Sequence, residues 1–267
     1  VERASRLFLG RTAGFPDDPG CRWLDLDDAA AALPRGAALP AASRWHAEGT
    51  RGWARDGARA MLRCGPLRFR PHQADLLHLD LWDGECNLVR DGGSFLYNDR
   101  TGAAWRLAGA AGHNAAVFDG AEPMPRAGRF LLARWPDTGV GPDGAWSRDR
   151  HGRFQARRVR ADNRAWIVED RLEGRFREVA IRWRLAPVPW QLRGTALCSP
   201  LARITVRADA PLRLSIETGS ESPRYGALDT VPVLVVRAAA PIGRITTTFR
   251  LPPRGAASTM AIHDPRS

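Results

Sequence analysis

The chain has 267 residues, of which 44% are hydrophobic and 26% charged, a composition that excludes a disordered chain and is typical of a globular protein. Its formal charge is +11, and arginine supplies all 40 of the Lys and Arg positions because the sequence contains no lysine. Arginine pairs bidentately with carboxylate, sulfate and phosphate, so an acidic polymer is a candidate partner, although a GC-rich genome would produce the same bias.

The cysteines and the first residues exclude several classes of protein. Neither a CxxC pair nor the spacing of a zinc knuckle occurs among the four cysteines, Cys21, Cys64, Cys86 and Cys198, which we interpret as buried thiols. The chain opens with VERASRLFLGR, which lacks a methionine and an apolar run long enough for a signal peptide or a membrane span. We therefore expect either a valine-read start codon or a fragment of a longer protein.

Residues 1 to 50 are predicted to form an arm. A short helix is expected from Asp27 to Leu33, because Asp27 can cap the alanine run and Pro34 ends it. The rest of this segment is rich in Pro, Gly and Asp and cannot bury a core of its own. It is therefore interpreted as an irregular arm that packs on a neighbour.

From Gly52 onward the hydrophobic pattern has a period of two, which indicates strands. Asp-Gly or His-Gly dipeptides at 56–57, 83–84, 119–120 and 151–152 predict hairpins or strand ends. Later strands are predicted in the runs RAWIVED, REVAIRWRL, ARITVRA, LRLSIE, VPVLVVRA and GRITTTFRL. Many short strands without a long helix predict an all-β fold, a large two-sheet antiparallel β-sandwich formed by residues 51 to 267.

The run LHLDLW has two different faces. Alternation places Leu77, Leu79 and Leu81 on one side of a strand, and it places His78, Asp80 and Trp82 on the other side. A polar face that also carries an indole is typical of a sheet surface that binds carbohydrate. His78 and Asp80 would contact a sugar there or pair with each other.

Three segments hold the unusual residues, at 68 to 82, 87 to 98 and 112 to 120. They resemble the C-terminal β-sandwich region of heparinase II/III-like polysaccharide lyases. The family order is a His-x-His-Ala-Asp segment entering a strand, a strand ending Asp-x-Gly-x-x-x-Tyr, and a His-Asn pair that opens the next strand. The matching segments here are Pro71 to Asp75, Asp91 to Tyr97, and His113-Asn114. The resemblance covers about residues 50 to 255 and includes the stretches AGRFLLARW, AWIVEDRLEG, IRWRLAP and SPRYG.

The resemblance implies an enzyme part that cleaves acidic polysaccharides, such as heparan sulfate or alginate, by β-elimination. A base removes the proton next to a uronate carboxyl group, the glycosidic oxygen leaves, and the carboxylate charge must be neutralised. In the family an N-terminal α/α-toroid domain supplies a Tyr, an Asn and one His, whereas the sandwich supplies a further His and a structural metal site. This sequence contains no toroid, so an upstream toroid domain or chain is an expected partner.

Two departures from the family pattern concern the metal. Pro71 and Gln73 stand where the family has its two histidines, and Asp91 and His113 match the other two ligand positions. The resemblance thus implies Gln73, Asp91 and His113 as metal ligands. Because an amide oxygen is a weak zinc ligand, this set would hold Zn only weakly.

The other candidate site residues follow from the same segments. His72 and Tyr97 are the catalytic candidates, and Arg70, His78, Asp80 and Trp82 are the substrate-binding candidates. Each has a plainer alternative: His72 as an exposed histidine after proline, Tyr97 as a hairpin anchor, and His113 as a buried histidine bonded to backbone.

Two functions from different classes fit these observations. The first is the β-sandwich part of a lyase that acts on an acidic, uronate-containing glycan in the cell envelope, the periplasm or outside the cell. The second is a non-catalytic carbohydrate-binding or cell-envelope module that has kept the fold and lost the active site. No nucleic-acid motif accompanies the positive charge, so nucleic acid is not an expected partner.

Overall fold

The computed structural model describes residues 43 to 47, 49 to 68, 71 to 128 and 131 to 253. The predicted helix from Asp27 to Leu33, Cys21 and Arg70 lie outside these residues. The chain divides into a unit of residues Val1–Ala42 and a unit of residues Ser43–Ser267, and the elements below belong to the second unit. Strand pairing starts at Arg44, N-terminal to the predicted domain boundary at residue 51. The division into an arm of residues 1–50 and a domain of residues 51–267 stays a prediction.

The first sheet contains five antiparallel strands that follow one another in chain order. They are β1 (Arg44–Ala47), β2 (Gly49–Arg55), β3 (Ala58–Gly65), β4 (Leu79–Asp83) and β5 (Cys86–Val89). A small two-stranded sheet is formed by β7 (Arg126–Gly128) and β8 (Leu131–Leu132).

The largest sheet has eight strands in the order β14-β15-β16-β19-β12-β11-β10-β9. Its members in chain order are β9 (Asp137–Gly141), β10 (Gly144–Arg148), β11 (Phe154–Asp162), β12 (Ala165–Glu173), β14 (Gln191–Arg193), β15 (Ala196–Cys198), β16 (Arg203–Ala208) and β19 (Arg244–Arg250). A four-stranded sheet has the order β17-β18-β13-β6. It contains β6 (Ala116–Phe118), β13 (Glu178–Arg184), β17 (Arg213–Glu221) and β18 (Asp229–Ala239).

The turn dipeptides explain the first hairpins. Asp56 has a φ of 48° and Gly57 a φ of 71°, both left-handed, as a two-residue type I′ turn between β2 and β3 requires. Gly84 (φ 56°) follows β4 in the same way. The six later runs predicted as strands correspond to β12, β13, β16, β17, β18 and β19.

One buried cluster of side chains joins the three larger sheets. Trp183 of the four-stranded sheet packs edge-on against Phe249 of the eight-stranded sheet, with ring centroids 5.0 Å apart. The five-stranded sheet contributes Leu62, Leu79 and Leu81, which are fully buried. A single antiparallel bridge between Val89 and Leu185 connects the edge of the five-stranded sheet to the end of β13 in the four-stranded sheet. The predicted all-β sandwich is confirmed.

The connection between β5 and β6 carries Asp91, Tyr97 and His113, whereas the connection between β3 and β4 carries His72, Gln73 and His78. The connection between β5 and β6 contains the helix α1 (Ala103–Ala108) and a 3-10 turn, Ala110–Gly112, directly before the His-Asn pair. Within this connection the backbone of Gly112 packs closely on the helix α1, so that an added Cβ would lie 1.9 Å from the carbonyl oxygen of Leu107. Among the described residues, no helix has the length and apolarity needed to cross a membrane.

Candidate functional site

Asp91 and His113 form the centre of the site. Asp91 follows the end of β5, and His113 follows the 3-10 turn, so both lie where regular structure stops. The Asp91 Oδ2 atom is 2.7 Å from His113 Nδ1, and Asp91 Oδ1 accepts a hydrogen bond of 2.7 Å from the Gly93 N–H. The predicted proximity of these two residues, 22 positions apart in the sequence, is confirmed.

The surroundings of Asp91 determine the pKa of its carboxyl group. Burial alone would raise the pKa of Asp91, but the hydrogen bond with His113, the charges of His78 and His113, and the Gly93 N–H hold it well below its ordinary value. Because an ionised carboxylate can only accept hydrogen bonds, the Nδ1–H group of His113 donates to Asp91. The other ring nitrogen of His113, Nε2, is buried without a hydrogen-bond partner.

His78 is the third member of this group, which we call the histidine cluster (His78, Asp91 and His113). Its Nε2 atom is 3.6 Å from Asp91 Oδ2 and 3.5 Å from Asp80 Oδ2, and its ring is edge-on to His113. The sequence pattern predicted His78 and Asp80 on the same polar face of the strand, and their side chains do lie on one side, within 3.5 Å of each other. His78 is buried there, with 5% of the residue exposed, whereas Leu77, Leu79 and Leu81 belong to the core.

Asn114 ties the cluster to three strands. Its side-chain amide donates to the carbonyl oxygens of Leu79 (3.0 Å) and Arg90 (2.9 Å), and its Oδ1 accepts from the Arg184 N–H (2.8 Å). Its backbone N–H donates to His78 Nδ1 at 3.0 Å. This residue is fully buried with both side-chain polar atoms bonded, which is the signature of a structural role. In the neutral ring of His78 the proton therefore resides on Nε2.

A buried arginine supports the cluster from the eight-stranded sheet. Arg157 lies opposite Asp170 on the neighbouring strand, the two form a bidentate pair of 2.8 and 3.0 Å, and both side chains are completely buried. The Arg157 Nη1 atom also donates to the carbonyl oxygens of Leu77 (2.6 Å) and Asn114. These carbonyls adjoin His78 and His113 in the sequence, so Arg157 fixes the backbone that presents both imidazoles.

The histidine cluster could hold a metal ion. Each member offers one ligand atom, and these atoms lie within 4.8 Å of one another. Two imidazoles and a carboxylate are a donor set that zinc accepts, and the unpartnered, buried Nε2 atoms of His78 and His113 fit a bound cation. Binding of zinc to His78 Nε2 would require the proton of the neutral ring to lie on Nδ1 instead. Nδ1 could then no longer accept its hydrogen bond from the Asn114 N–H, so metal binding would cost one hydrogen bond.

Gln73, which the resemblance implied as a metal ligand, lies beside the histidine cluster. Its Nε2 atom donates to Ser94 Oγ at 3.2 Å, and its Oε1 atom is buried without a hydrogen-bond partner. It lines the same cavity of about 230 Å³ as the three cluster residues. His78, which was predicted as a substrate-binding residue, joins the predicted ligands Asp91 and His113 in the group that could hold a metal, and the ligand role of Gln73 stays a prediction.

A second cavity, which we call the aromatic groove, adjoins the first and shares Gln73 with it. It has a volume of about 400 Å³, and its lining includes His72, Tyr97, Trp105, Arg126 and Tyr225. The Arg126 guanidinium lies 4.7 Å from the centre of the Trp105 ring, and the Tyr225 hydroxyl accepts a 3.3 Å hydrogen bond from the Tyr97 N–H. The two catalytic candidates thus lie in one groove.

The sequence prediction missed part of this groove. Tyr225 is one of only two tyrosines in the chain and lies in the SPRYG stretch, which is the signal that could have identified it. Trp105 and Arg126 carried no such signal. Of the other substrate-binding candidates, Asp80 lines the cavity in front of the histidine cluster. Trp82 lines neither cavity, because its ring packs under the Arg59 guanidinium at 4.8 Å.

Comparisons with known proteins agree with this architecture. Residues 31–257 match the family model described as Heparinase II/III-like, C-terminal. The chain is similar to the structure of the Heparinase III-BT4657 gene product, with a TM-score of 0.65 and 16% identity over 88% of this chain and 39% of that chain. It is also similar to heparan sulfate lyase HepC from Pedobacter heparinus, with a TM-score of 0.63 and 16% identity over 87% of this chain and 40% of that chain. The chain spans about two fifths of the length of these structures, and at this identity the likeness shows the fold. No curated protein sequence matches the chain.

Proposed function

Because this chain belongs to the Heparinase II/III-like, C-terminal family, we propose that it is the β-sandwich part of a polysaccharide lyase. Its substrate would be an acidic, uronate-containing glycan, cleaved by β-elimination. The observation that carries this proposal is the aromatic groove, where His72 and Tyr97 line one cavity beside the histidine cluster.

The groove contains the groups that this chemistry uses. Elimination needs a base for the proton next to the carboxyl group and an acid for the leaving glycosidic oxygen, and an imidazole and a phenol can each accept or give a proton. Arg126, on the groove wall, is the residue type that pairs with a carboxylate in two parallel hydrogen bonds. In this proposal His72 and Tyr97 exchange protons with the substrate, and Arg126 neutralises the uronate.

The histidine cluster has a supporting role in this proposal. Its members are buried or half-buried behind Gln73, so they hold the segments that carry His72 and Tyr97 at the groove. A metal bound there would fasten those segments together. The reaction itself uses the residues of the groove.

The proposed active site is shared with a second domain. In the family the toroid side supplies a tyrosine, an asparagine and a histidine, and base and acid must lie on opposite sides of the uronate ring. We therefore expect this chain alone to bind acidic glycans weakly and to cleave them little. We also propose, from the family, that the complete protein acts in the cell envelope or outside the cell.

The test compares the purified chain alone with the chain produced together with the segment encoded directly upstream of it. Heparin, heparan sulfate, alginate and hyaluronan are incubated with each sample, and the ultraviolet absorbance of the unsaturated uronate product is followed. Elimination is expected only with the upstream segment, and His72→Ala should abolish it. His151→Ala, at an exposed histidine outside the groove, is the control and should leave it unchanged.

Two outcomes would contradict the proposal. Sustained cleavage by this chain alone, abolished by His72→Ala, would show that the groove contains the whole active site. No elimination of any of the four glycans in either sample, with binding retained, would favour the second candidate, a non-catalytic carbohydrate-binding module. The exposed rings of Tyr97 (63%), Trp105 (46%) and Tyr225 (73%) are the observation that favours that candidate.

A further inference from the structure

The outer surface of the eight-stranded sheet carries a concentration of arginines away from the groove. The paired residues 158, 169, 246 and 207 of four neighbouring strands point to the same side, opposite to the buried side chains at 159, 168, 247 and 206. Seven exposed arginines lie on this side, and we call them the arginine face: Arg158, Arg160, Arg171, Arg203, Arg207, Arg244 and Arg250.

These arginines are largely free of internal partners. Within the part of the chain that the structure describes, Arg171 pairs with Glu173, and the other six form no ion pair. Three carboxylates lie on the same side of these four strands, Asp162 at the end of β11 and Glu169 and Glu173 on β12, against seven arginines. Positive charges held close together without neutralising partners create a local potential that attracts anions.

The dimensions of the arginine face suit an extended polymer. From β11 to β16 it crosses three strand spacings, about 14 Å, and from Arg244 to Arg250 along β19 it extends about 20 Å. Its middle is occupied by Thr205, Thr246 and Thr248, which lie side by side or on alternate positions of adjacent strands. Hydroxyl groups there can donate to and accept from the hydroxyl groups of a sugar.

Other occupants fit this surface less well. A second copy of the chain would bring two arginine faces together, and like charges repel. Proteins that bind single-stranded nucleic acid combine positive charge with exposed aromatic rings on which bases stack. On these four strands, threonines occupy the middle of the face, and its one aromatic ring, the half-buried Phe154, lies at the end of β11 against Trp146. An acidic polysaccharide supplies both the anions for the arginines and the hydroxyl groups for the threonines.

We propose that the arginine face is a second binding surface for acidic polysaccharide, separate from the aromatic groove, which holds the polymer by its carboxylate or sulfate groups. The identity of the polymer rests on the proposed function, whereas the anion-binding property rests on the arginines themselves. A polymer held there would stay attached to the protein between encounters with the groove.

The test uses fluorescein-labelled heparin and fluorescence anisotropy at low salt. The triple variant Arg160→Gln, Arg207→Gln, Arg250→Gln removes three charges from the face. The matched control Arg150→Gln, Arg175→Gln, Arg213→Gln removes three exposed charges elsewhere on the surface. Because both triples change the net charge equally, a difference between them reports position. We expect about tenfold weaker heparin binding for the face variant and little change for the control, with the difference disappearing at about 0.5 M salt.

Three outcomes of these measurements separate the arginine face from the proposed function. Equal heparin affinity of the two triple variants would overturn the arginine face as a binding surface, even if the protein eliminates uronates normally. Tighter binding of a single-stranded DNA oligonucleotide than of heparin would overturn the assignment to polysaccharide. If the face variant binds heparin weakly as expected but no glycan is ever cleaved, the proposed function fails while the second surface stands.

Discussion

Replacing Arg157 with methionine would remove the guanidinium that joins the eight-stranded sheet to the backbone of the site. Asp170 would then be completely buried with one remaining side-chain donor, the Gln155 Nε2 atom at 2.7 Å. Breaking a buried ion pair on one side costs about 3–5 kcal/mol, and the carbonyl oxygens of Leu77 and Asn114 would each lose a donor worth about 1 kcal/mol. The expected loss is about 5–7 kcal/mol, comparable with the whole stability of many domains.

Since that variant is expected to be mostly unfolded, the double variant Arg157→Met, Asp170→Leu makes the prediction measurable. It removes both charges, so the penalty for an unpaired buried ion disappears, whereas the two carbonyl oxygens lose their donor and the buried Gln155 Nε2 atom loses its acceptor. At about 1 kcal/mol for each of these three groups, we expect the double variant to lose about 3 kcal/mol, less than Arg157→Met alone. Urea unfolding followed by circular dichroism gives the free energies of unfolding.

Two results would refute this reasoning. A double variant as unstable as Arg157→Met would mean that hydrogen bonds to the backbone, and not the ion pair, dominate the contribution of this residue. A loss below about 1 kcal/mol for Arg157→Met alone would mean that the buried pair stabilises nothing.

Three further predictions concern the loops around the site. Gly93→Ala is expected to lower the free energy of unfolding by about 2–3 kcal/mol, because Gly93 has a φ of 77° and an added Cβ would lie 2.3 Å from the Ser222 carbonyl oxygen. The control Gly84→Ala, at a φ of 56° with open space around the position, should lower the free energy of unfolding by only about 1 kcal/mol. Equal losses for the two variants in urea unfolding would contradict the clash with Ser222. Hydrogen bonds from a threonine hydroxyl and backbone N–H groups hold the pKa of Asp99 at about 2, below the unfolded value, so its stabilisation is present above about pH 4 and lost as the pH falls through about 2. The stability difference between the unchanged protein and Asp99→Asn should therefore narrow from pH 5 to pH 2 in thermal unfolding, and a constant difference would refute this. Zinc is expected to raise the melting temperature of the chain, and a chelator is expected to reverse that rise. His113→Ala should abolish this response to zinc and should also lower the melting temperature in the absence of metal. An unchanged melting temperature of the chain with zinc, or a His113→Ala variant that still responds to zinc, would exclude the ion from the histidine cluster.

The turns and the strand pattern were predictable because they depend on neighbouring residues. The Asp56-Gly57 dipeptide selects its hairpin by backbone conformation alone, and β-branched runs with a period of two identify strands without knowledge of their partners. The proximity of Asp91 and His113 was predictable for another reason. The order of three independent segments resembled a known family in which the corresponding strands are neighbours.

The parts that could not be predicted depend on contacts between distant residues. Leu77 adopts a left-handed conformation that its residue type does not favour, and Arg157 bonds its carbonyl oxygen from 80 positions away in the sequence. No local pattern indicates that contact, so the sequence predicted the face on which His78 lies but not its burial. Arg157 is followed in the sequence by Arg158, which is exposed, and only the register of β11 against β12 places Arg157 opposite Asp170.

The position of Asn114 affects how sequences of this kind should be interpreted. Its amide holds together the ends of three strands, and the residue directly before it, His113, belongs to the cluster. A descendant that had abandoned its reaction would still need the asparagine to remain folded. A His-Asn pair in a database sequence is therefore a marker of an intact scaffold, and surveys that count it as proof of lyase activity would overestimate the number of working enzymes.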